Sequence, residues 1–247
     1  MSLLYPMLLL ALSTSNQTPI VVLDPGHGGA EHGASGICGV YEKQVTLAIT
    51  LKIEKLIKQK GLIQTHLTRT TDVDIPLGKR YNLANSLGAD LFVSIHANSA
   101  ALPTVHGFET FIAGSQPSSE RIAQLLVREN RRPKKHFPTN NTVSALINTL
   151  NAQEKRSKSR RVAHTMQRFL STKLKKRNRG VYEAPFKVLR GSQMPAILLE
   201  LGFMSNEKDC HDLLDPEYQM QTATSVVAAI FSYFSETILT PTQLSHK

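Results

Sequence analysis

The sequence predicts an α/β fold, a single-domain sandwich in which helices cover both faces of a twisted, mainly parallel sheet. Short apolar runs of strand length alternate along the chain with amphipathic stretches of helical period. The 247 residues, 41% of them apolar, suffice to bury one substantial core. Charged residues make up 19%, with no long polar tract and no internal repeat, which argues against an extended disordered chain or a repeat array.

Ile20 to Asp24 is an apolar run ending in Pro-Gly-His-Gly-Gly, which reads as a buried strand entering a tight loop. Glu42 opens a helix whose apolar stripe is Val45, Ile49, Ile53 and Ile57, widened by Ala48 and Leu56 and ended by Gly61. Leu62 to Leu67 reads as a second strand. Pro76 starts a helix with Leu77, Tyr81, Ala84 and Leu87 on one face, up to Gly88. Leu91 to Ile95 is a buried strand closing on His96, Gly107 to Ile112 alternates like an edge strand, and Ala196 to Leu201 is an apolar run interrupted only by Glu200. Further helices are expected over 118–130, 158–177 and 216–235.

The net charge of +10 is unevenly spread: residues 121–180 hold 17 Lys and Arg against two acids, Glu129 and Glu154. Such a block reads either as a surface for an anionic partner or as a solvated helical face. Cys38 and Cys210 match no zinc knuckle and define no disulfide framework, so one bridge and two free thiols both remain open. Residues 3–12 are too short an apolar run for a bilayer helix and suit the core of a secretory signal, although no Lys or Arg precedes them. Residues 1–18 therefore read as a degenerate export signal, 19–238 as the catalytic domain and 239–247 as a tail, with no stable membrane span.

Four residues carry the chemistry. His27 lies among glycines that bend the backbone and aim its imidazole, and His96 lies at the carboxyl end of a strand, where open α/β sheets place their ligand crevice. Glu42 lies in the first turn of a helix, where the dipole alone favours a carboxylate. Glu200 is an acid inside an apolar strand, which costs several kcal/mol unless a cation or hydrogen bonds compensate it. Taken singly, each has an ordinary reading as a loop, core or helix-start residue. Together, two histidines and a carboxylate leave a fourth tetrahedral position for water, and the second carboxylate is available for proton transfer. The mixed nitrogen and oxygen donors favour zinc, one per chain, over the soft-ligand metals, and ligand type alone leaves manganese and iron open.

At these residues the sequence resembles the zinc-dependent N-acetylmuramoyl-L-alanine amidases of the amidase 3 family, which include cell-division amidases and cleave peptidoglycan. Leu-Asp-Pro-Gly-His-Gly-Gly is similar to the family's first ligand block, Gly39-Val40-Tyr41-Glu42-Lys43 to its second, and Ser94-Ile95-His96-Ala97-Asn98 to its third. Arg69, Asp72 and Arg80 with Ala84-Asn85 resemble the connecting motif, and Leu199 to Asn206 resembles the block with the catalytic acid. The resemblance spans roughly residues 19–235. It implies a sheet of about six strands, zinc on His27, Glu42 and His96, and Glu200 as the general base that cleaves the amide between N-acetylmuramic acid and L-alanine of the stem peptide. Asn98, Arg69 and Arg80 are implied as substrate-binding or supporting residues, peptidoglycan or muropeptides as partner, and the periplasm or cell envelope as location.

About 45 residues, roughly 115–158, exceed the compact members. Within them Val143, Leu146, Ile147 and Leu150 have helical spacing, with Thr139, Asn140 or Asn141 as a cap. The insertion resembles the one with which cell-division amidases block their own cleft until an activator protein displaces it. It also reads as an added packing helix, since the plug uses an acid on zinc and only Glu154 lies near 136–154. Rival activities are a zinc carboxypeptidase on the same fold and a penicillin-sensitive serine carboxypeptidase through Ser205-x-x-Lys208, which lacks a Lys-Thr-Gly partner. A nucleic-acid-binding module lacks any interleaved aromatic platform, and no nucleic acid is expected as a partner.

Overall fold

The structure, a computed structural model, describes residues 18–130 and 144–239. The export-signal reading of 1–17, the tail from 240 and the capping residues Thr139 to Asn141, with Val143, lie outside the described residues. Six strands form one sheet: β1 (Ile20–Pro25), β2 (Gln64–Leu67), β3 (Leu91–Asn98), β4 (Phe108–Ala113), β5 (Asn178–Ala184) and β6 (Ala196–Phe203). Their spatial order is β2-β1-β3-β6-β4-β5, and every neighbouring pair is parallel except β4 with β6.

The helices are α1 (Glu42–Lys60), α2 (Leu77–Ser86), α3 (Glu120–Glu129), α4 (Ser144–Leu174), α5 (Lys187–Arg190), α6 (Glu207–Leu214) and α7 (Pro216–Leu239). Helix α1 starts where Gln44 Oε1 accepts the Tyr41 backbone N–H, and stops at Gly61, whose φ of 67° lies in the left-handed region. Its Ile49, Ile53 and Ile57 are fully buried, each worth about 1.5–3 kcal/mol relative to exposure. They join Met166 and Leu170 of α4 and Val226 and Ile230 of α7 against Val93, Ile95 and Leu199 on one face of the sheet. On the other face Ala84 of α2 and Ile122, Leu125 and Leu126 of α3 meet Phe92, Phe111, Phe186 and Leu198. Among the described residues no helix is long and apolar enough to cross a membrane.

Three expectations need correction. Strand β4 is not an edge strand, because β5 pairs along its outer side. The sequence reading assigned no element to 178–184 and so missed β5, a half-buried strand beginning in Asn178-Arg179-Gly180, just after the helix expected over 158–177. The helix expected near 143–150 is not a separate unit: its backbone is the first part of α4, which ends at Leu174.

The two cysteines are joined, Cys38 to Cys210, with Cα atoms 6.0 Å apart. The bridge pins the loop before Glu42 to α6, and Ile37 N–H donates to the Met204 carbonyl beside it. Part of the basic block is spent inside the molecule. Arg156 and Arg160 pair with Glu183, and Lys176 pairs with Asp209 and Asp212.

Candidate metal centre and catalytic carboxylate

The site lies at the carboxyl ends of β1, β3 and β6, on the α2–α3 face of the sheet. His27 lies in the loop after β1 with φ 59°, a left-handed conformation that a side chain rarely adopts, imposed here to turn the imidazole inward. Glycine is required at Gly26, where a Cβ would stand 2.5 Å from the His96 ring, and at Gly33, where it would stand 2.6 Å from Glu42 Oε2 and from His27 Cδ2. The ligand loop is thus packed onto the imidazoles too closely for any side chain.

Glu42 is fully buried. Its Oε2 accepts the Ala34 N–H at 2.8 Å, its Oε1 accepts the Ala97 N–H at 3.0 Å, and Oε1 is also 2.9 Å from His96 Nδ1. Burial alone would raise its carboxyl. The charge on His27 and the hydrogen bond with His96 override burial and hold Glu42 well below the usual carboxylate range.

A fourth group completes this cluster. Glu129, the last residue of α3, puts Oε2 3.1 Å from His27 Nε2 and 3.2 Å from His96 Nδ1. One ligand atom from each of His27, Glu42, His96 and Glu129 lies within 4.8 Å of the other three. The sequence reading considered Glu154 as the nearby acid. Glu154 is instead an exposed partner of Lys158, and the acid at the cluster arrives from the start of the insertion.

This donor set fits a divalent cation. His27 Nε2 is buried without a hydrogen bond, although it lies 3.1 Å from both Glu42 and Glu129. Without a metal, protons on the imidazoles supply the positive charge: burial works against it, but Glu42 and Glu129 raise His27 to about 9 and His96 well above its ordinary value. Two imidazoles and two carboxylates converging at that spacing are an N2O2 set suited to zinc.

Glu200 is fully buried, and neither of its carboxylate oxygens has a hydrogen-bond partner. It faces His96 across the β3–β6 pair. Burial, reinforced by the charges of Glu42 and Glu129 against the pull of His96, pushes its carboxyl well above the usual range. An unpartnered buried carboxyl beside a polar cluster is a candidate for proton transfer.

Arg69 and Arg80, expected to bind substrate or support the site, are buried and spent on the protein. Arg69 donates to the carbonyls of Pro25, Gly26 and Lys43, and Arg80 to those of Ile75, Pro25 and His27, so together they fasten the ligand loop. Arg80 also pairs at 2.7 Å with Asp24, which the sequence reading missed even though it ends an apolar strand just as Glu200 interrupts one. Burial favours a neutral Asp24, but Arg80 and the Thr68 and Ser94 hydroxyls hold its carboxyl below the ordinary 3.8. A lowered folded-state pKa gives stability that is present above the unfolded value and is lost as pH falls through the folded one. Asp24→Ala strands the Arg80 charge, with an expected loss of about 3–5 kcal/mol in urea unfolding at neutral pH, and a smaller loss in acid where Asp24 is already protonated.

Ser205 and Lys208 are not brought together as an acyl-serine pair. Ser205 Oγ accepts the Ala100 N–H, and Lys208 is exposed and pairs with Asp212.

A family model described as N-acetylmuramoyl-L-alanine amidase matches residues 21–232. The chain is 32% identical over 220 residues to the N-acetylmuramoyl-L-alanine amidase AmiA of Escherichia coli (strain K12), covering 87% of this chain and 76% of that one. It is 31% identical over 231 residues to AmiC of Neisseria meningitidis serogroup B, covering 91% of this chain and 55% of AmiC. Among solved structures it resembles an N-acetylmuramoyl-L-alanine amidase from Clostridium difficile 630, with a TM-score of 0.69 and 30% identity over 89% of this chain and 97% of that one. It also resembles the CwlD amidase from Clostridioides difficile in complex with the GerS lipoprotein, with a TM-score of 0.68 and 26% identity over 88% and 99% of the two chains.

Proposed function

The chain belongs to the N-acetylmuramoyl-L-alanine amidase family, and from that premise we propose that it cleaves the muramoyl amide of peptidoglycan with zinc held by His27, Glu42 and His96 and with Glu200 as the base. It is a peptidoglycan hydrolase of the amidase class. The observation that carries the residue assignment is Glu200, buried with both oxygens unpartnered beside four converging donors.

Bound zinc supplies a Lewis acid that polarises the scissile carbonyl and acidifies a water. Glu200 accepts that water's proton and returns it to the departing amine of L-alanine, so one carboxyl serves as base and then as acid. The carboxyl's upward shift suits the second half of that cycle. His27, Glu42 and His96 are held rigidly by the loop packing and backbone donors described above, which keeps the donor set in place between turnovers.

We also assign Glu129 to a closed form, in which the end of α3 takes the position that water and substrate need. This agrees with the resemblance of the insertion to the plug of cell-division amidases, and an activator protein that withdraws α3 is part of the same reading. Of residues 136–154, 136–143 lie outside the described residues and 144–154 are the first part of α4. The Cys38–Cys210 bridge supports export, since such bonds persist in oxidising compartments.

The deciding experiment is mass spectrometry of muropeptides after digestion, with metal content measured on the same sample. Release of intact stem peptide from the sugar is expected, and loss of only a terminal alanine would point to a carboxypeptidase. Chelation is expected to abolish release and lower the melting temperature, since zinc at 100 times its Kd stabilises a site by about 2.7 kcal/mol. Activity and melting that survive complete removal of metal would sink the zinc assignment.

A further inference from the structure

One carboxylate beside the site has no part in the hydrolysis described above. Glu109 on β4 is fully buried and lies directly opposite Glu200 in the antiparallel β4–β6 pair. Cross-strand partners point to the same face, so His96, Glu200 and Glu109 form a row across three strands.

Glu109 accepts two N–H groups of Arg121, at 2.6 and 2.8 Å, and Arg179 Nε at 3.2 Å. It also accepts Asn98 Nδ2 at 2.8 Å. Asn98 is buried, and its oxygen accepts the Ser99 N–H at 2.7 Å and an Arg128 N–H at 3.2 Å. Turning this amide over would set its oxygen against the Glu109 carboxylate and its NH2 against two donors, inverting all three bonds. Glu109 therefore decides which end of Asn98 is turned toward Arg128, a residue that lines the cleft with His27, His96 and Glu129.

The end turned toward Arg128 is an acceptor, and it has a companion. The Ser99 carbonyl accepts a second Arg128 N–H at 3.2 Å, and Arg128 immediately precedes Glu129, to which its Nε also donates at 2.8 Å. A guanidinium is a planar array of N–H donors, as an extended peptide edge is a row of them.

We propose that Glu109 is a positioning residue for substrate. It turns Asn98 so that the side-chain oxygen and the Ser99 carbonyl form a rest for backbone N–H groups of the stem peptide, a rest that Arg128 fills in the closed form. The inference rests on the amidase reading and adds the means of peptide recognition.

The test measures binding, by calorimetry of a soluble muramoyl peptide to zinc-loaded protein carrying Glu200→Gln, so that nothing is consumed, together with Arg128→Ala and Glu129→Ala, so that neither residue occupies the cleft or the rest. Adding Glu109→Gln, which lets the amide turn over, or Asn98→Asp, which sets two carboxylates face to face, is expected to weaken binding about tenfold. Combining them exchanges the roles once Arg121 gives up its bond to the shared position and keeps the one to the remaining oxygen: the new amide on β4 donates to the new carboxylate at the end of β3, and an acceptor is again turned to the rest. The double variant is expected to bind within about threefold of the parent, a rescue that mere loss of packing would not give. Single variants that bind like the parent, or a double variant no better than the weaker single one, would overturn the proposal. A parent that binds no muramoyl peptide would instead overturn the amidase reading beneath it. Should Glu109→Gln fail to fold, Asn98→Leu decides: about tenfold weaker binding is expected, and an unchanged Kd refutes the rest.

Discussion

Glu200→Gln protein is expected to keep its zinc and to lose muropeptide turnover by about 10²–10⁴-fold, the usual contribution of a positioned general acid or base. The substitution is nearly isosteric in a site that is fully buried, so packing on β6 is preserved. It removes only the ability to take and return a proton. Because Glu200 is not among the four clustered donors, metal content measured by mass spectrometry should stay at one per chain. A variant that hydrolyses at the wild-type rate would remove Glu200 from the mechanism, and one that loses both zinc and turnover would make it a ligand.

The second large effect has the opposite sign. On the proposal that α3 closes the cleft, Glu129→Ala is expected to raise basal turnover by roughly tenfold or more, because it removes the carboxylate that sits against His27 and His96. The four donors of the cluster come from three elements close to the sheet and from one helix end next to the insertion, and the helix end is the replaceable one. Arg128 remains bonded to Asn98 and Ser99 in that variant, so activation should be partial, and Arg128→Ala combined with Glu129→Ala should exceed it. If Glu129→Ala loses zinc and activity together, Glu129 is a permanent ligand and the site is structural rather than gated.

His27, Glu42, His96 and Glu200 each stand in the sequence at a place where polarity is conspicuous: a glycine loop after a strand, a helix start, a strand end and the middle of an apolar run. Singly, however, each has an ordinary reading, and the resemblance to the ordered amidase blocks joined them into one expected site. Asp24 and Glu109 carry the same signal, a carboxylate within an apolar strand, and could have been found by the reasoning that found Glu200. Glu129 could not. It ends an amphipathic helix in a basic stretch, where an acid reads as a surface residue, and only the packing of α3 over the strand ends brings it to the imidazoles. Its one clue was its isolation, one of two acids among 17 basic residues between 121 and 180.

The strand pattern failed for a related reason. That Phe108 to Ala113 alternates is a local property, but whether a strand lies at an edge depends on what pairs with it. Residues 178–184 are half-buried and start with polar groups, so they carried too little hydrophobic signal to announce themselves as the partner. Arg69 and Arg80 were recognised as belonging to the site, but their burial beneath the ligand loop, which makes them braces rather than substrate contacts, is visible only in three dimensions.

The bond between Cys38 and Cys210 spans 172 positions of sequence and makes most of the catalytic chain a covalent ring. Glu42, His96, Glu129 and Glu200 all lie on that ring, and so does the whole insertion; of the metal donors His27 alone stands outside it. A single proteolytic cut anywhere between Cys38 and Cys210 would therefore open that ring without dividing the protein into separate pieces.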